Sequence, residues 1–160
     1  MANVHDVAAY VTGHFDSSIS TMKLQKLCFL AQGWSLALRR ITLFDDEFQA
    51  WANGPVCWNL FDEHRGRYSV DSWAQGDASK LSRDERIVLD AVLKNYEALS
   101  GRQLSALTHK PGTPWTVTRG GLPDTARSER VIPNDLIQTY YVSSLTQDAE
   151  AGSVETGRPL

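Results

Sequence analysis

Four histidines, two cysteines and one acidic run are the side chains here with the chemistry to hold a metal or attack a substrate. His5, His14, His64 and His109 are scattered along the chain, and none sits in an HExxH or CxxC arrangement. A metal or hydrolytic site needs ligands, or a nucleophile and its base, at spacings that bring them together, so these histidines are expected on the surface or in packing. Cys28 and Cys57 have apolar neighbours, Leu27 and Phe29 for one, Val56 and Trp58 for the other. Small buried thiols of a reduced, cytoplasmic protein fit that setting. Asp45-Asp46-Glu47 precedes a strand pattern and reads as a solvated turn. Gly112 and Gly120-Gly121 lie in a polar loop without the lysine and helix start of a phosphate cradle. No catalytic residue, metal or cofactor is therefore expected.

The positioning elements come from one chain of 160 residues, the size of a single domain, with 42% hydrophobic residues and five each of Trp, Tyr and Phe. A net charge of -3 gives no whole-molecule attraction to nucleic acid or an anionic membrane. No basic start followed by an apolar core marks a secretion signal, and no stretch approaches the roughly 20 apolar residues of a membrane span.

Hydrophobic spacing predicts a short helix from Val4 to Val11 with Asn3 as its cap, then a much stronger one from Ser20 to about Arg40. The second is apolar over more than half its circumference, which places it at the centre of the domain, with Lys23, Lys26 and Arg39 forming a wet stripe. Glu47 to Trp51 alternates like a half-buried strand, Asn53-Gly54-Pro55 reverses the chain, and Pro55 is suited to open a helix from Val56 to His64. Arg67 to Val70 is a second strand candidate. Capping boxes at Ser82-Arg83-Asp84-Glu85 and Ser100-Gly101-Arg102-Gln103 open two further helices, the second ending before Pro111. Residues 110–124 read as irregular around one helical turn at Trp115, with Arg119-Gly120-Gly121 mobile. A final helix runs from Pro133 to about Ser144. The expectation is a mainly α (α+β) fold, a compact helical domain around a central apolar helix with a small β element, covering residues 1–144, and a flexible tail over 145–160.

Large aromatics beside turns are the remaining signal: Trp34, Trp51, Trp58, Trp73 and Trp115. They anchor cores and interfaces alike, and Trp73, in a polar stretch, is the one expected to be exposed. The helix pair around Ser100 has the outline of a DNA-reading unit, but Asp84, Glu85 and Asp90 on the first helix would repel phosphate.

Two stretches carry a resemblance. Met22 to Leu38, followed by Leu43 to Val56, resembles the opening signature of the Panacea domain. Leu81-Ser82 with Glu85, then Leu89-Asp90, Val92 and Tyr96, then Gln103-Leu104-Ser105, Leu107-Thr108-His109, Pro114-Trp115 and Arg119 follow the same family in order. The chain departs from it at Cys57-Trp58-Asn59, at Arg39 to Thr42, where a glycine-containing turn is common, and at Ser35. The resemblance, to a family that includes SocA-like antitoxins and phage-associated GepA-like proteins, implies a mostly helical, non-enzymatic antitoxin that binds a cognate protein toxin. Some members instead deliver a toxin to a ClpXP-type protease, a second reading here; a DNA-binding autoregulator is a third. A phage or prophage setting, and with it phage defence, belongs to the same resemblance. The expected partner-binding residues are Gln25, Gln32, Trp51, Asn53, Gly54, Pro55, Trp58, Thr108, His109 and Trp115. Gln25 and Gln32, seven apart on one helix face, have amides able to pin the Asn53-Gly54-Pro55 turn or a partner backbone. Gly33 is explained by a close backbone approach of a neighbouring element.

Overall fold

The computed structural model describes residues 2–152, with side chains described as far as Asp148. Helices α1 (Val4–His14), α2 (Thr21–Arg39), α3 (Trp58–His64), α4 (Arg83–Tyr96), α5 (Gly101–Thr108), α6 (Pro114–Arg119) and α7 (Asn134–Gly152) alternate with strands β1 (Ile19–Ser20), β2 (Phe48–Trp51), β3 (Gly54–Cys57) and β4 (Ser69–Val70). The fold is mostly helical with two small two-stranded sheets, as expected.

Helix α2 is the axis of the molecule. Every residue from Leu24 to Ala37 is buried, because α1, α4, α5, α7 and β3 all pack around it. Its start is local chemistry: Ser20 Oγ accepts the amide of Lys23 at 3.0 Å. Reciprocal capping boxes at Asn3/Asp6, Ser82/Glu85 and Ser100/Gln103 start α1, α4 and α5, the latter two as predicted. At the other end of α2, Arg40 takes the left-handed conformation, φ 64°, where the chain turns toward Leu43. Helix α7 crosses α2 at Gly33, where a Cβ would overlap the ring of Tyr141. A neighbour does come close as expected, but it is the Tyr141 ring and not a backbone, and Gln138 secures the crossing by donating to the Leu36 carbonyl at 2.9 Å.

β2 and β3 form an antiparallel hairpin with Phe48 opposite Cys57 and Trp51 opposite Gly54. The outer edge of β2 is covered by the segment Arg130 to Ile132: Ala50 N donates to Arg130 O and Ile132 N to Phe48 O, each at 2.8 Å. Pro55 lies inside β3, so α3 begins at Trp58 and not at Val56; pairing to β2 outweighs the proline's suitability for a first helical turn. β1, for which the sequence carried no signal, pairs with β4.

Three further expectations are corrected. Trp73 is buried, stacked beside His5 and donating its indole N–H to His5 Nδ1 at 3.0 Å. Arg119 is buried rather than mobile: its guanidinium donates to the carbonyls of Ala50, Pro123 and Ala126 at 2.7 to 2.9 Å and lies over the Trp115 ring. Lys26, placed on a wet stripe by sequence, is only 1% exposed, because the hairpin lies across it. Helix α7 runs eight residues beyond the predicted end at Ser144, and the rest of the predicted tail, 153–160, lies outside the described residues.

Candidate partner-binding cleft

The candidate site grows out of the way α2 holds its loops. An amide side chain has one acceptor and two donor protons, enough to replace a strand partner for a stretch of backbone. Gln25 uses it so: Cys57 N donates to its Oε1 at 2.8 Å, and its Nε2 donates to Cys57 O at 3.1 Å. Those bonds fix the amide's orientation, and Nε2 also reaches His64 Nε2 at 3.1 Å. His64 Nε2 must then be an acceptor, so the ring is neutral; burial draws its pKa down in the same direction. Two turns along the helix, Gln32 does the same for the other loop, accepting from Leu43 N at 2.8 Å and donating to Phe44 O at 2.9 Å.

The hairpin turn is gripped from behind. Four successive carbonyls meet side chains of the α5–α6 corner: Ala50 accepts from Arg119 at 2.9 Å and Trp51 from the Trp115 indole at 2.6 Å. Ala52 faces His109 Nε2 at 3.2 Å, and Asn53 accepts from Ser105 Oγ at 2.8 Å. The corner is itself tied: Thr113 Oγ1 donates to Thr108 O at 2.7 Å, Thr108 Oγ1 to Ser105 O at 2.8 Å, and the His109 ring lies 3.8 Å from that of Trp115. Gly54 has φ +117°, and a Cβ there would come within 2.6 Å of Lys26 Cε, so both backbone and space require glycine.

In front of the hairpin lies an open cleft of about 590 Å³. Buried Gln25, Lys26, Val56 and His64 form its floor. Its wall is aromatic: the Trp51, Trp58 and Phe61 rings stand 5.0 to 6.2 Å apart. Trp58 is 45% exposed, unusual for a tryptophan in a small domain, and Arg65 lies 5.3 Å over both Trp58 and Phe61. Thr21 and Met22 close one rim and Arg127 to Glu129 the other. On the floor, Lys26 Nζ donates to Pro55 O at 3.2 Å and has no other protein acceptor among the described residues. Burial draws its ammonium down to about 7.

The ten residues singled out by sequence fall into four groups. Gln25, Trp51, Asn53 and Trp58 line the cleft; Gly54 and Pro55 are buried in β3 beside it; Thr108, His109 and Trp115 buttress the hairpin from the opposite side; Gln32 clamps a different loop. Sequence reasoning missed Lys26, Phe61, His64 and Arg65. A signal existed for three of them: Trp58, Phe61 and Arg65 recur at three and seven residues, one face of a helix. Lys26 stands four residues from both Met22 and Leu30, on an apolar stripe. Arg127 to Glu129 come from an aperiodic loop and carried none.

The thiols are inert in this setting. Both cysteines are unpaired and buried, burial holding Cys28 far above the ordinary thiol range and raising Cys57 to about 11. Among the described residues, no three His, Cys, Asp or Glu converge as a metal site, and no helix is long and apolar enough to cross a membrane.

No solved structure matches the chain. Antitoxin SocA of Caulobacter vibrioides (strain NA1000 / CB15N) is 28% identical over 118 residues, covering 66% of this chain and 63% of that protein. The chain thus spans less than two thirds of this relative's length. Residues 24–116, from the first buried turn of α2 through the hairpin and cleft wall to the start of α6, match the family model described as "Antitoxin SocA-like, Panacea domain", and the protein belongs to that family.

Proposed function

We propose that this protein is a non-enzymatic antitoxin that neutralises a cognate protein toxin by binding it, with the cleft in front of the β2–β3 hairpin as the docking surface. The observation that carries this is the exposed aromatic wall: Trp51, Trp58 and Phe61 stand on a hairpin and a short helix whose backbones are held from behind, so the surface is rigid before any partner arrives. Preorganised aromatic side chains beside an arginine are the composition of interface hot spots, because they bury large area at little cost in conformational freedom. Membership in the SocA-like family supplies the class of partner. Occlusion of the toxin's working surface is the mechanism such a rigid patch serves.

Growth rescue joined to co-purification tests the reading. The adjacent open reading frame is expressed alone and together with this protein, tagged at its N-terminus. Toxicity relieved by co-expression, with recovery of a stoichiometric complex, is the expected outcome, and Trp58→Ser should lose both while remaining folded. Rescue in which the toxin disappears only when a ClpXP-type protease is present would replace occlusion with delivery for proteolysis. Full rescue by Trp58→Ser together with Trp51→Ser would overturn the proposed surface.

A further inference from the structure

Among the described residues, the Lys26 ammonium stands out as a buried cation in no ion pair. Its side chain is enclosed by β3 and lines the floor of the cleft, and Pro55 O is its one protein acceptor among the described residues. The neighbouring floor groups cannot neutralise it: the Gln25 amide is committed to Cys57 and His64, and His64 is a neutral acceptor for Gln25. Among the lining residues the one carboxylate is the exposed Glu129, two residues from Arg127. The cleft that Lys26 lines has an apolar wall of Trp51, Trp58 and Phe61.

We infer that the cleft is a receptor for an acidic side chain of the partner protein, an Asp or Glu flanked by apolar residues, whose carboxylate meets Lys26 while its neighbours lie against Trp51, Trp58 and Phe61. This rests on the antitoxin reading for the partner's being a protein. The shape and charge select the chemistry. A single compact ammonium in a cleft with an aromatic wall suits one carboxylate on a short stem, and the low-dielectric surroundings make the pair stronger than at the surface. A phosphate would bring two charges to a floor with one buried cation. A basic side chain would face Lys26 and Arg65 together. Burial already lowers the lysine's proton affinity toward 7, so an arriving carboxylate restores the charged form as it binds.

The test uses the full chain, labelled with 15N, and two capped tripeptides as probes, acetyl-Phe-Glu-Phe-amide and its Gln counterpart. The indole N–H signals of Trp51 and Trp58 are followed by NMR at pH 6.5. The Glu peptide is expected to move both signals with a Kd at least tenfold below that of the Gln peptide. Lys26→Met should bring that ratio close to one while leaving Gln-peptide binding within about twofold, and Lys94→Gln, an exposed change on α4 outside the cleft, should leave the ratio at tenfold or more. Equal binding of the two peptides to the unaltered protein, or no movement of either signal up to 10 mM peptide, overturns the inference whatever Lys26→Met does. Phenylacetate binding as tightly as the Glu peptide overturns the assignment to a protein segment, and a homodimer dispersed by Trp58→Ser overturns it in favour of a second copy of the chain. Rescue by a protein whose cleft does not discriminate would remove this inference and leave the antitoxin; discrimination in a protein that neutralises nothing would keep the carboxylate receptor and remove the antitoxin.

Discussion

Two glutamines on one helix face do the same job with opposite outcomes for the surface around them. Gln32 holds Leu43 and Phe44 through both ends of its amide, and the loop it secures closes over it; Ser35 and Arg39 complete that end by bonding to Ile41 O and to each other. Gln25 holds Cys57 with the same two bonds, but what lies beyond is the cleft, and its neighbour Lys26 has, among the described residues, one acceptor for three protons. A polar group on a buried helix is neutral or stabilising when its partners are complete and costly when they are not. The closed clamp is scaffold, and the open one marks the place where something outside the domain completes the bonding.

The sharpest way to test that contrast is at Lys26. In the unfolded chain its amine keeps the ordinary value of 10.5, whereas the folded protein releases the proton near 7. Between those values the unfolded chain binds more protons, so stability rises with pH across that window, and the full cost of burying the charge is present below about 7. Lys26→Met should therefore be more stable than the unaltered protein at pH 6, by an amount on the order of 3 to 4 kcal/mol, with the difference shrinking toward pH 10. Urea unfolding at a series of pH values measures it. His64, drawn down first by burial and further by the nearby Arg67 and Lys26 charges, adds its own rise at lower pH, a smaller one once Lys26 is removed. A variant that is less stable than its parent at every pH would mean that the lysine is a satisfied structural group like Gln32.

Gln32→Leu should destabilise by about 3 kcal/mol, since it strands the Leu43 N–H and the Phe44 C=O, both in fully buried residues. Once folded, the variant should bind its partner unchanged, which co-purification at low temperature reads directly. Trp58→Ser is the converse: unfolding within about 0.5 kcal/mol of the parent, and partner affinity weakened by about 2 kcal/mol, roughly thirtyfold, in titration calorimetry. Smallest is Arg40→Gly. Arg40 ends α2 in the left-handed region, where a side chain is strained and glycine is not. The substitution should stabilise by about 0.5 to 1 kcal/mol and raise the melting temperature without touching the cleft.

Much of this fold is legible in the order of its residues. The boxes at Ser82 and Ser100, the Ser20 cap, the amphipathic course of α4 and the apolar breadth of α2 depend on contacts three or four residues apart, and each lies where the spacing places it. Even the demand at Gly33 for a close neighbour is readable, because a glycine inside a helix needs a reason. Where local reasoning gives the wrong answer, a distant segment decides the matter. Trp73 sits in a polar stretch but is buried against α1 through His5. Arg119 stands beside two glycines but collects carbonyls from β2 and from the loop at 123–126.

The cleft divides along the same line. Amino-acid order alone determined a helical domain about one buried helix, the aromatic residues at its turns, and the family to which the chain belongs. Only the tertiary structure decided which of those aromatics faces outward, which glutamine is enclosed, and that Lys26 lies beneath a strand, β3, that begins 28 residues later in the chain, at Gly54. Helical periodicity and caps are short-range and written in neighbouring residues. The burial of a particular charge depends on which long-range partner settles over it, a choice made by the packing of the whole domain.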